Sequence, residues 1–67
     1  MKYLVQWYLN DRCEWSGYFS DLEQAKYYAQ RWSKGTGVSE SLVWDDANGD
    51  EPIALFVNGE ERPYYVD

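Results

Sequence analysis

The chain opens on an alternating stretch, KYLVQWYL (2–9), in which Tyr3, Val5, Trp7 and Leu9 share one face and Leu4, Gln6 and Tyr8 share the other. Its aromatic and β-branched content, without Gly or Pro, predicts a strand. The polar NDRCE segment has the length of a hairpin connection. WSGYF (15–19) then predicts a short second strand, in which Gly17 marks a bulge or a close backbone approach. The period changes after Phe19. Leu22, Ala25, Ala29 and Trp32 recur at helical spacing, which predicts a helix over residues 21–34. Ser20 and Glu23 form an S-x-x-E capping box, so the expected N-cap is Ser20. Asp21 and Glu23 suit the positive end of the helix dipole. Lys34 closes the last turn, and Gly35 is the expected left-handed stop. The two alanines allow close approach to a sheet, Tyr28 flanks their stripe, and Tyr27 and Arg31 face away from it.

Beyond the GTG break at 35–37, SESLVWDD (39–46) predicts a third strand with Leu42 and Trp44 on one face. ANGDE carries an Asn-Gly turn signal, and PIALFV (52–57) predicts a fourth strand with Pro52 at its first position. NGEERP gives a second Asn-Gly turn, and YYV (64–66) is a candidate fifth strand at an edge. The order β-β-α-β-β-(β) predicts a single α+β domain over 1–67, an antiparallel sheet of four to five strands with one α-helix on one face. One helix covers one face only. With the helix on the Trp7, Leu42 and Leu55 side, Tyr8, Tyr18, Val43, Phe56 and one of Tyr64 and Tyr65 are left open, as a contact surface or a homodimer seam. Tyrosine edges resting at a rim with their hydroxyls in water are the plainer reading.

Size sharpens this picture. A domain of 67 residues buries only about 60% of the surface its unfolded chain exposes. Four tryptophans, seven tyrosines and two phenylalanines compensate with bulk. Cys13 is the single cysteine and there is no histidine, so an internal disulfide and a tetrahedral zinc site are both excluded. A lone thiol, no leader-like segment and no run near the ~20 apolar residues of a membrane helix make a soluble protein of a reducing cytoplasm the expectation.

Charge divides the chain. Residues 1–39 carry four acids and five bases, net +1, whereas residues 40–67 carry eight acids and one base, net −7. An acidic block repels nucleic acid and attracts basic protein surfaces. It also keeps an aromatic-rich surface soluble, and the sequence leaves both readings open. The candidate partner-binding residues are therefore Asp45, Asp46, Asp50, Glu51, Glu60 and Glu61, with Tyr8, Tyr18, Phe56 and Tyr64 as the accompanying aromatics.

Catalytic readings find little to build on. Without histidine the commonest general base is missing, and no Ser-His or Cys-His pair exists. Asp45-Asp46 and Glu60-Glu61 are sequence neighbours, which along a strand point to opposite faces. DDANGDE has D-x-N-x-D spacing, but the sixth and twelfth positions of a calcium loop would fall on Glu51 and Val57, so a hairpin turn is expected instead. Gly35-Thr36-Gly37 lacks a phosphate-loop lysine and precedes a strand. The expectation is a non-enzymatic protein that needs no cofactor or metal. A nucleic-acid binder acting through Lys26, Arg31 and Lys34 is disfavoured by the acidic balance.

FSDLEQAK (19–26), the ANG turn (47–49) and the closing aromatic-Val-Asp (65–67) together resemble small phage-encoded anti-CRISPR proteins, inhibitors of type I surveillance complexes. The likeness lies in length and strand–strand–helix–strand–strand order. The charge departs from that of the nearest such inhibitor, whose contact surface is largely basic, so no binding residue is carried over. The resemblance implies an inhibitor, active in the bacterial cytoplasm, that occupies the nucleic-acid-binding surface of a defence complex. A homodimeric accessory domain is the alternative.

Overall fold

The computed structural model describes residues 2–47 and 49–63. Two long strands, β1 (Tyr3–Leu9) and β2 (Arg12–Phe19), precede the helix α1 (Leu22–Ser33). The strands β3 (Val38–Asp45), β4 (Ala54–Val57) and β5 (Glu60–Arg62) follow it. All pair antiparallel in one sheet of order β2-β1-β3-β4-β5. The helix carries the chain from β2 over β1 to β3, so β2 and β3 run parallel on either side of β1. The expected α+β architecture, a five-stranded antiparallel sheet with one helix, is present. No helix among the described residues is long and apolar enough to cross a membrane.

The turns explain where the strands begin. Asn10 and Asp11 have φ of 53° and 66°, so two residues suffice to turn the chain. β2 therefore begins at Arg12, and NDRCE is not a loop throughout. Glu14 is the extra residue, since Tyr8 pairs with Cys13 while Trp7 pairs with Trp15. The bulge thus lies ahead of Gly17. A Cβ on Gly17 would collide with the Trp15 ring, so this glycine serves close approach. Asn58 and Gly59, at φ 53° and 86°, make the second tight turn. It hands the fifth strand to Glu60–Arg62; the expected YYV strand (64–66) lies outside the described residues, as does Asn48 of the first Asn-Gly signal.

Both ends of the helix differ from expectation. The N-cap is Asp21, whose carboxylate accepts from the Gln24 amide at 3.1 Å. Asp21 and Gln24 repeat the capping-box spacing one residue later, leaving Ser20 to connect the helix to Phe19 at the end of β2. At the other end, Lys34 stays right-handed, and the amides of Lys34 and Gly35 tighten onto the Arg31 and Trp32 carbonyls. The positive φ falls on Gly37, not Gly35.

The helix covers the Tyr3–Val5–Trp7 face. Ala25 and Ala29 are fully buried against Val5, Val43, Ala54 and Phe56, with Tyr3, Phe19, Leu22 and Trp32 around them. Register decides this set. Val5 pairs with Val43, Val43 with Ala54, and Ser41 with Phe56. Val43 and Phe56 are therefore under the helix, while Leu42 and Leu55 lie on the opposite face, the reverse of the sequence expectation for these four. The reason is register: Val5, Val43, Ala54 and Phe56 share one parity across the paired strands, so Leu42, Trp44 and Leu55 take the other.

Helix aromatics cover what the alanine stripe leaves over β2. Tyr28 stacks on Phe19 at 5.3 Å between centroids, and Trp32 meets Trp15 edge-on at 4.2 Å. Tyr27 packs edge-on against Tyr28 and stays half exposed. Arg31 donates to the Tyr27 hydroxyl at 3.2 Å, a bond that raises the guanidinium pKa further.

Candidate binding surface

The face away from the helix joins Leu4, Gln6 and Tyr8 of β1 to Tyr18 of β2, Leu42 and Trp44 of β3, and Leu55 of β4. Trp44 is fixed in plane, because its indole N–H donates to Gln6 Oε1 at 2.8 Å. Tyr18 is 58% exposed, with the Lys2 ammonium 5.7 Å from its ring centroid. Tyr8 is half-buried, opposite Cys13 and Glu40. The two tyrosines expected on the open face are therefore on it. Phe56 is not: only 4% exposed, it belongs to the core. Tyr64 lies outside the described residues.

At one end of this face the acidic connection between β3 and β4 begins. Leu4, Gln6, Trp44, Asp45, Asp46 and Gly49 line an open cleft of about 290 Å³. Asp45 closes β3, is half-buried, and accepts from the Ala47 amide at 2.9 Å. Asp46 is exposed and held by its backbone, which donates to the Lys2 carbonyl at 3.0 Å. Asp50 and Glu51 are exposed further along the same connection. Among the described residues, no lysine or arginine forms an ion pair with any of these four carboxylates.

Glu60 and Glu61 differ from that group. They are part of β5 and not of a turn, and they project to opposite faces. Glu60 pairs with Arg62 at 3.3 Å, and Glu61 with Lys26 of the helix at 3.3 Å. The Glu61 pair lines a groove of about 340 Å³ on the helix side with Glu23, Tyr27, Gln30 and Phe56. The β4–β5 turn and the β3–β4 connection are at opposite ends of the sheet, since β4 runs antiparallel between them. The structure thus does not bring the six acids together. It gathers Asp45, Asp46, Asp50 and Glu51 at one end and gives the other two partners of their own.

Sequence reasoning missed Leu4, Gln6 and Trp44 as parts of this surface. The shared parity of Leu42 and Trp44 was readable, but their side of the sheet depends on pairing with β1. A further cleft of about 320 Å³, between Trp7, Leu9, Trp32 and Val38 with Arg31 at its rim, lies at the C-terminal end of the helix. Among the described residues no three acidic or cysteine side chains converge as a metal site.

Fold and surface together define a small α+β protein with an aromatic open sheet face that ends in an acidic loop whose carboxylates have no ion-pair partner among the described residues. No protein-family model matches the chain, and neither a curated protein nor a solved structure matches it.

Proposed function

We propose that this is a non-catalytic inhibitor of the phage anti-CRISPR kind, which occupies a Lys/Arg-lined nucleic-acid-binding surface of a defence complex in the bacterial cytoplasm. The observation that carries this reading is the cleft in which Trp44, Leu4 and Gln6 meet Asp45 and Asp46, carboxylates with no ion-pair partner among the described residues. A basic side chain entering there lays its methylenes against Leu4, its cation near the indole face and its N–H groups on the carboxylates. Asp50 and Glu51 extend the negative field and speed encounter with a positive channel. In such a channel the carboxylates take the place of phosphates. Nucleic acid itself is not the partner on this reading, because the same charges repel it.

The experiment is direct. The purified protein is added to a type I surveillance complex, and target-DNA binding is followed at low and high salt, alongside phage plaquing on a CRISPR-active host that expresses the protein. Loss of DNA binding that weakens as salt rises, together with restored plaques, is the expected result. Unchanged DNA binding and unchanged plaquing reject this target.

A further inference from the structure

We infer that two copies of the chain join edge to edge through β2, pairing antiparallel over residues 15–19 to make one continuous sheet. The two edges of the sheet differ in how they meet solvent. β5 is three residues long and wholly charged, Glu60-Glu61-Arg62, the usual protection of an exposed edge. β2 is eight residues long, and among the described residues its outer side has no strand beside it. Its bulge and its two charges, Arg12 and Glu14, are confined to the first part. Residues 15–19, WSGYF, carry no charge, and Trp15 and Tyr18 are 37% and 58% exposed. This is a regular strand edge with backbone donors and acceptors to offer and little to repel a neighbour.

Two observations select a second copy as the occupant. The first is charge. The net −7 half of the chain contributes β4, β5 and the acidic connection, while β2 belongs to the net +1 half at the far edge. Joining at β2 keeps the two acidic edges outermost, whereas joining at β5 would set glutamates against each other. The second is self-complementarity. Trp15, Gly17 and Phe19 project to the helix side, since they pair with Trp7, Val5 and Tyr3. Centred on Gly17, a two-fold pairing sets Trp15 against the partner's Phe19 and Ser16 against the partner's Tyr18, each on a matching face. The aromatic layer of Trp15, Trp32, Phe19 and Tyr28 then continues across the seam. The cleft beside Trp44 and the acidic loop of each copy stay free.

The test combines sedimentation velocity over a wide concentration range with amide hydrogen exchange of residues 12–19. The expected result is a dimer whose β2 amides gain protection as concentration rises. Ser16→Lys/Tyr18→Lys, at two exposed positions, is expected to be monomeric with an unchanged helical circular dichroism spectrum, and Glu60→Gln on the other edge to remain dimeric. Should the double variant misfold, the exchange data on the wild type decide alone. A protein monomeric at every concentration, a dimer whose β2 amides still exchange fast, or a dimer that survives the folded double variant would overturn the inference.

Discussion

The two faces of the sheet are built from the same alternating strands yet have opposite chemistry. Under the helix, Val5, Val43, Ala54 and Phe56 are at most 4% exposed, and the helix contributes two alanines. On the other face, Trp44 and Leu4 are half-buried and Tyr18 is largely in water. Bulky apolar residues are thus found on both faces, Phe56 under the helix and Leu42, Trp44 and Leu55 on the other. Phe56 is buried, and on the other face Leu42 is buried too while Trp44 and Tyr18 keep exposed surface. The helix-covered face is closed to solvent, and the other keeps exposed aromatic surface beside a buried Leu42.

Substitutions at matched aromatic positions should separate the faces most strongly. Phe56→Ala, in the core, is expected to cost about 3–5 kcal/mol, a large part of the ~5–15 kcal/mol that stabilises a typical domain. Tyr18→Ala, on the open face, is expected to stay within ~0.5 kcal/mol. Urea melts followed by tryptophan fluorescence compare them directly. Equal costs would mean that the helix lies on the wrong side in this account. Ala29→Gln should follow at roughly 1–3 kcal/mol in the same melt, because a fully buried position gains both bulk and an amide. An unchanged midpoint would remove Ala29 from the helix–sheet contact.

A more specific effect tests how the helix is pinned to the turn between β4 and β5. The Ser33 hydroxyl donates to the Gln30 carbonyl and accepts from the Gly59 amide, both at 2.7 Å. The Gln30 side chain donates to the Gly59 carbonyl at 2.9 Å. Ser33→Ala leaves the Gly59 amide without that acceptor, at an expected cost of about 1–3 kcal/mol. Faster exchange of the Gly59 amide in the variant is the accompanying sign, and unaltered exchange would contradict it.

How much of this was legible follows from what each signal measures. Helical spacing placed Leu22, Ala25, Ala29 and Trp32 on the packed stripe, and strand alternation sorted Tyr3, Val5 and Trp7 from Leu4, Gln6 and Tyr8. Alternation gives parity within one strand, however, and not the pairing between strands. The relation of Val5 to Val43 rather than to Leu42 depends on the length of the helix crossover, so Val43 and Phe56 were put on the wrong face. Turn chemistry was readable at Asn58-Gly59 but underestimated at Asn10-Asp11, where two non-glycine residues adopt positive φ. The acids were countable, but which of them have cations beside them is a property of the tertiary structure. Lys26 reaches Glu61 only because β5 folds back alongside β4, which lies under the helix.

That last distinction gives the most direct measurement of the central claim, that the loop around Asp46, Asp50 and Glu51, beside Trp44, is the recognition surface. Wild type, Asp46→Lys/Asp50→Lys/Glu51→Lys and Glu60→Lys/Glu61→Lys are titrated against the type I surveillance complex at low and high salt, with association rates recorded. All three proteins should melt within about 1 kcal/mol of one another, since exposed charges contribute little to stability. The loop triple reversal is expected to lose most of its affinity, chiefly through slower association, and the β5 reversal to lose much less. Equal affinity for wild type and the loop triple, or wild-type binding indifferent to salt, would contradict the claim and leave the acidic loop as a solubilising surface.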